Sequence, residues 1–256
     1  MKTTSAHVQS LFVKRERKAE MSTVSCLNLH KGFGIEGNIN SDEISPRQIL
    51  VVCGADLERF SIEPGKLREN IVLEMVNSQV FKPGAKLSFA SGAEIRLTFY
   101  CEPCQRMSHL VDSIASLAQK RGILGIVTAG GAIALKDKVV IEPDYYPALS
   151  EIPYERFLNY VEQIPVGKVV TYKQILKCIG VDRSYFRAIP IYLKKAPANY
   201  PLHRVVDSQG RITSHIIRQS ELLEQEGVKV DRHPSKSNKM PAVSLSKYGW
   251  HHGAIY

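Results

Sequence analysis

The sequence lacks the features of a membrane-spanning or secreted protein. No apolar run approaches the ~18 residues that a spanning helix requires. The longest candidate, residues 122–135, is broken by Gly125, Thr128, Gly130 and Gly131. Cysteines number five, too few for a disulfide scaffold and odd in count, which argues against a fully paired framework. Residues 1–20 hold no apolar core of a signal peptide, and there is no internal repeat or low-complexity tract. What remains is an ordinary globular composition, 44% hydrophobic and 23% charged over 256 residues. That length fits one large domain or two ordinary ones, and the expected location is the cytoplasm, away from any membrane.

Acidic residues are also scarce, and unevenly so. From residue 154 onward there are 16 Lys or Arg and 8 Asp or Glu, so this stretch carries +8 of the total +9. A basic half joined to a neutral one points to a polyanionic partner, nucleic acid first among them. The cluster Lys14, Arg15, Glu16, Arg17, Lys18 precedes Met21, and residues 1–20 read as a frayed tail, with a basic arm on nucleic acid as the alternative. Residues 142–153 carry three prolines without a period and read as a linker. The boundary falls near Leu149, giving domains 22–149 and 150–256.

The first half shows short apolar runs bounded by Gly, Pro, Asn and Asp. Residues 93–100 alternate apolar and polar, the pattern of a half-buried strand. Residues 109–121 place Leu110, Ile114, Leu117 and Ala118 on one helical face. Many strands and one helix suggest a barrel or sandwich. Cys101-Glu102-Pro103-Cys104 follows the clearest strand. It reads as half a zinc site lacking a second pair, as a redox pair without its usual βαβ context, or as two cysteines filling a barrel rim. Residues 64–71 form a turn whose Arg68 and Asn70 can meet an anion.

In order along the chain stand Gly34-Ile35-Glu36-Gly37, Pro64-Gly65-Lys66-Leu67-Arg68-Glu69-Asn70-Ile71, Phe81-Lys82-Pro83-Gly84, the Cys101–Cys104 run and Arg121-Gly122-Ile123-Leu124-Gly125. This series resembles the MOSC domain, the β-barrel named from the C-terminal part of molybdenum cofactor sulfurases. The resemblance implies that Cys104 is the functional cysteine, a metal ligand or sulfur carrier, with Arg68 and Asn70 binding the pterin phosphate of a molybdenum cofactor (molybdopterin). A thiolate suits either role. Where many members have Gly-Asp-x-His, this chain reads Gly37-Asn38-Ile39-Asn40, so two amides replace an acid and an imidazole.

In the second half, residues 154–163 pattern as a helix. A second helix is capped near Thr171, and Gly180 allows a turn. Asp182 then caps a third helix reaching about Lys195. This fits a helix-turn-helix. The runs Ile164-Pro165-Val166-Gly167, Pro201-Leu202-His203-Arg204-Val205-Val206 and Arg218 to Val228 then resemble the DNA-binding domain of O6-alkylguanine-DNA alkyltransferases. In those enzymes a Pro-Cys-His-Arg run carries the alkyl-accepting cysteine. Leu202 stands in its place, and leucine cannot accept an alkyl group. That substitution resembles the cysteine-free alkyltransferase-like proteins, which bind alkylated guanine and hand it to nucleotide excision repair.

The resemblance implies a mainly-α winged helix-turn-helix domain after the mainly-β barrel, with double-stranded DNA containing O6-alkylguanine as partner. Arg187 would be the finger entering the base stack, and Tyr172 would turn the 3′ phosphate. Lys194, Lys195 and Arg204 would contact phosphates, and Leu202, His203 and Glu226 would line the lesion pocket. Base flipping costs a few kcal/mol, which the finger and a basic groove must offset. Three departures bear on this. Tyr185 and Phe186 replace two small residues before the finger, Pro190 is expected to kink the third helix, and Leu202 replaces the Trp or Ala common in cysteine-free members. Cys178 reads as core, and His251 with His252 as solvated. The competing expectation is an enzyme, a molybdenum-cofactor-dependent reductase or sulfur-transfer protein acting on modified nucleobases.

Overall fold

A computed structural model describes residues 3–75, 78–232 and 240–250; His251 and His252 lie outside the described residues. The chain divides into two compact units, Met1–Glu151 and Ile152–Tyr256.

The first unit contains β1 (Thr4–Val13), β2 (Ser22–Val24), β3 (Cys26–His30), β4 (Gly34–Ile35), β5 (Ile49–Cys53), α1 (Gly54–Arg59), β6 (Ile71–Met75), β7 (Lys86–Phe89), β8 (Glu94–Tyr100), β9 (Ile123–Ala129), β10 (Gly131–Ala134) and β11 (Lys138–Glu142). Seven strands run in the order β11-β7-β8-β9-β5-β6-β1, and β1 pairs back onto β11, closing a barrel. Closure removes the sheet edges. Only β5 and β6 are parallel neighbours, because α1 and the turn after it carry the chain back between them. Strands β10, β3 and β4 form a small second sheet.

Two apolar clusters sandwich the barrel wall. Leu11, Ile49, Val51, Leu73, Ile95, Leu97 and Ile141 fill the interior. Phe12, Leu50, Val52, Leu57, Phe99 and Leu117 pack outside it. Strand β5 is therefore buried on both faces, which is why its sequence is a continuous apolar run.

Three expectations change here. Residues 4–13 are not a tail: they are the barrel-closing strand, pairing with β6, β11 and β2. The basic cluster is the connection into β2, and Lys14 Nζ donates to the Ala19 carbonyl at 2.6 Å. Residues 109–121 form no long helix. Ser113 and Ala118 are extended and Gln119 is left-handed (φ 58), so only one 3-10 turn, Ile114–Leu117, survives between them. Nor is β8 half-buried, because its polar positions are covered too. Arg96 Nη2 donates to the Pro147 carbonyl at 2.7 Å, and Thr98 Oγ1 lies 3.0 Å from the carbonyls of Pro46 and Leu124. The first of these contacts also ties the proline-rich segment to the barrel, as do Tyr146 N–H on the Gly84 carbonyl (2.9 Å) and Tyr100 N–H on Glu151 Oε1 (3.1 Å).

The second unit comprises α2 (Pro153–Glu162), β12 (Val170–Thr171), α3 (Tyr172–Cys178), α4 (Ala188–Lys195), β13 (Val205–Val206), α5 (Gln219–Gln225), β14 (Val230–Asp231), β15 (Ala242–Val243) and α6 (Leu245–Tyr248). Thr171 caps α3, its Oγ1 accepting from Gln174 N–H at 3.3 Å, and Gly180 makes the turn at φ 64. Asp182 accepts from Ser184 N–H at 3.1 Å and starts a 3-10 turn, Arg183–Arg187, that runs into α4. The third helix is thus split, and the expected kink at Pro190 is absent as a mid-helix feature. Pro190 sits in the first turn of α4, where its missing N–H costs no helical bond. Cys178 is buried beside Ile175 and Ile179, as the sequence implied. Val169, Val206, Leu223, Val228 and Val243 form the local core. No helix among the described residues is long and apolar enough to cross a membrane.

Candidate functional site

The 3-10 turn Leu202–Arg204 leads into β13, and parallel pairing of β13 with β12 fixes its position (Val170 opposite Val205, Thr171 opposite Val206). Glu226 closes α5 opposite this turn. His203 Nε2 lies 2.8 Å from Glu226 Oε1, and Arg204 clamps the same carboxylate, Nη2 donating at 2.6 Å and Nε at 3.0 Å. Gly167 N–H donates to Oε2 at 3.0 Å. Burial alone would raise the Glu226 pKa, but Arg204, the Gly167 amide and His203 together lower it to about 2.

The carboxylate is therefore ionised at neutral pH and orients the imidazole. Arg204 Nη1 also donates to the Ile164 carbonyl at 2.5 Å, so this guanidinium is spent inside the domain, a placement its assignment to phosphate contacts did not foresee. A further brace escaped the sequence reading. Buried Gln219 donates to the carbonyls of His203 (3.0 Å) and Val205 (2.7 Å) and accepts from Thr213 N–H at 2.8 Å. Only its place at the start of an otherwise ordinary helix could have drawn attention to it. The arrangement fixes the imidazole beside an ionised carboxylate. It cannot perform nucleophilic transfer, because Leu202 supplies no lone pair.

Tyr172 opens α3 and is buried, which pushes its phenol pKa up, against the Thr213 side chain. Its ring meets that of Phe186 in a T-shaped contact with 5.9 Å between centroids. Arg187 follows Phe186 at the end of the 3-10 turn and is exposed, so neither Tyr185 nor Phe186 closes over it. Lys194 and Lys195 are exposed at the end of α4, with Lys195 Nζ 4.8 Å above the Tyr154 ring.

In the barrel, Cys104 is half-buried at the start of a 3-10 turn, Gln105–Met107, and Cys101 is fully buried. Burial raises the Cys101 thiol pKa against the pull of Arg121 and Arg47. Arg68 is exposed, in left-handed conformation (φ 65). Burial, then Arg68 and Arg106, lower the pKa of Lys14, so three cations share one field. Asn38 accepts from Lys14 N–H at 3.0 Å, and its Nδ2 is buried without a hydrogen-bond partner. An oxyanion such as a pterin phosphate fits cations beside an orphaned amide.

Asn70 does not fit that role. Its Oδ1 accepts from Leu50 N–H (3.1 Å) and its Nδ2 donates to the Phe12 carbonyl (3.2 Å), splicing β1 to β5. Among the described residues no group of three or more His, Cys, Asp or Glu could hold a metal ion.

Comparison with known proteins places both halves. Residues 152–228 match the model of the 6-O-methylguanine DNA methyltransferase DNA-binding domain, and residues 45–140 match that of the MOSC domain. The fold and site thus define an alkyltransferase-related domain behind a MOSC-like barrel. The chain is 33% identical over 104 residues to Alkyltransferase-like protein 1 of Schizosaccharomyces pombe, covering 38% of this chain and 93% of that protein. It is 35% identical over 95 residues to the DNA base-flipping protein of Vibrio parahaemolyticus, covering 35% and 87%. The solved structure of S. pombe Atl1 in complex with damaged DNA containing O6-carboxymethylguanine is 32% identical, covering 38% of this chain and 94% of that one, with a TM-score of 0.34. Through its second unit, the chain belongs to the alkyltransferase-like family.

Proposed function

We propose that this protein binds duplex DNA at O6-alkylguanine, turns the modified base out of the stack and holds it without removing the alkyl group. The observation that carries this reading is Leu202 beside an intact His203–Glu226 pair, an ordered polar network with no alkyl acceptor next to it. Its similarity to Alkyltransferase-like protein 1 and to a DNA base-flipping protein supports it.

In this reading the second unit works as a winged helix-turn-helix built on α3 and the segment from Arg183 to the end of α4. Arg187 fills the gap left by the base, and Tyr172 guides the adjoining phosphate. Lys194 and Lys195 neutralise phosphates, which makes affinity salt-dependent. Arg204 serves by positioning Glu226. A held, unrepaired lesion is a signal for nucleotide excision repair proteins in the cytoplasm. Fluorescence anisotropy on duplexes with and without O6-methylguanine tests the reading. Tighter binding to the modified duplex, lost in Arg187→Ala, is expected; equal binding to both duplexes would overturn it.

For the barrel we infer an anionic cofactor, with molybdenum cofactor the candidate that the MOSC match suggests. The cations Lys14, Arg68 and Arg106, which share one field, and the buried Asn38 Nδ2 without a hydrogen-bond partner favour it. Such a group would supply redox or sulfur-transfer chemistry; the residues here would hold its phosphate and offer one thiolate. Metal analysis of protein from a cofactor-competent host should find molybdenum, and Cys104→Ser should lose it. Molybdenum retained by Cys104→Ser would count against the assignment.

A further inference from the structure

We infer that Phe186 and Ile191 are apolar DNA-contacting residues flanking the Arg187 finger, with Phe186 acting as a second wedge; this rests on the DNA-binding reading above. On α4 the inner face buries Ile189 and Leu193. Arg187, Ile191 and Lys194 are spaced i, i+4 and i+7, so they share the outer face. Ile191 is 62% exposed and Phe186 is 46% exposed. Scattered exposed apolar side chains need no explanation, but here two are set among cations on one surface.

Phe186 is also held in place. Its ring packs on the buried Tyr172 ring, with centroids 5.9 Å apart and an interplanar angle of 63°, while about half of Phe186 stays exposed, next in the chain to the exposed Arg187. A ring braced from behind keeps its direction and loses little rotamer freedom on binding.

The chemistry of the surface selects its partner. Its cations, Arg187, Lys194 and Lys195, ask for a polyanion, while its exposed apolar groups ask for something non-polar between the charges. The minor groove of duplex DNA offers both, with phosphates along its rims and sugar and base faces within. Apolar wedges in that groove unstack base steps and bend the duplex. Consecutive residues of a 3-10 turn point about 120° apart. Phe186 therefore points to one side of Arg187, where it would meet a neighbouring step, and Ile191, on the Arg187 face, would lie along the sugar wall.

Apolar contacts release no counterions, so their loss lowers affinity without changing its salt dependence. The test is anisotropy on an O6-methylguanine duplex across a series of salt concentrations, with thermal melting of each variant. Phe186→Ala should bind about tenfold more weakly, the scale set by taking a half-exposed Phe ring out of water, with the slope of log K against log salt unchanged. Ile191→Ala, at a position 62% exposed, should show a smaller loss of the same kind and carries the test if Phe186→Ala melts early. Lys194→Ala should instead reduce the slope by about one. Wild-type affinity in both Phe186→Ala and Ile191→Ala would overturn this inference while leaving the reading above intact, provided that Arg187→Ala still fails. A wild-type protein indifferent to the lesion would overturn both.

Discussion

The Glu226 carboxylate holds the His203 ring at 2.8 Å although the residue before that histidine, Leu202, gives it nothing to deprotonate. The pair is therefore part of a structural network with Arg204 and Gly167, and its energetics are open to measurement.

Glu226→Gln should destabilise the second unit, because the part-buried Arg204 guanidinium would lose the carboxylate it clamps. The carboxylate pKa near 2, against an ordinary 4.5, corresponds to up to about 3 kcal/mol before solvent screening. Denaturant unfolding at neutral pH should show a loss of about 2 kcal/mol. A change under about 0.5 kcal/mol would mean that the network contributes little.

The same pair predicts a pH profile. Because the folded-state pKa lies below the unfolded value, the Glu226 contribution is complete above about pH 4.5 and disappears as pH falls towards 2. The stability gap between wild type and Glu226→Gln should therefore narrow through that window. A gap that stays constant down to pH 2 would locate the effect in packing.

Removing residues 1–20 deletes β1, exposing the backbone edges of β6 and β11 that it pairs. The truncated chain should aggregate or lose the cooperative unfolding of the barrel, read by solubility and calorimetry. A soluble, cooperatively melting product starting at Met21 would refute the assigned role of β1.

Asn70→Ala leaves the Leu50 N–H and the Phe12 carbonyl unsatisfied inside the barrel wall. The expected cost is about 3 kcal/mol in thermal or denaturant unfolding. Asn70→Asp should also destabilise, since it can accept from Leu50 but cannot donate to Phe12. If Asn70→Ala kept full stability, the residue would be available for a ligand after all.

Pro190→Ala separates two positions for the proline. In the first turn of α4 the substitution should change stability by less than about 1 kcal/mol, whereas removing a helix-interior proline would stabilise by about 3 kcal/mol. Circular dichroism melts decide between them.

The pocket was more legible than the barrel, for physical reasons. Leu202, His203 and Glu226 lie in runs whose order along the chain survives folding, so spacing alone brought them to notice. Strand β1 did not announce itself because its inward positions change phase. Ala6 and Val8 are buried, then an irregularity between Val8 and Ser10 shifts the pattern to Leu11 and Val13, and alternation is lost. Charge beside it reinforced the impression of a tail. Asn70 was misjudged because its partners lie at Phe12 and Leu50, which no local pattern reveals. Residues 109–121 show the converse error. Helical spacing of apolar side chains was present, but the extended Ser113 and left-handed Gln119 broke the backbone that the spacing assumed.

Barrel closure through β1 also sets an order of events during synthesis. Thr4 can pair with Ile141, and Ala6 with Met75, only after those residues have left the ribosome. The first strand made is among the last satisfied, and pairings this distant in sequence form slowly. Until then Ala6, Val8, Leu11 and Val13 present an apolar ribbon with open edges, the kind of surface that recruits chaperones or aggregates. The second unit emerges only once every barrel strand is available, so the two halves need not compete for partners while they fold.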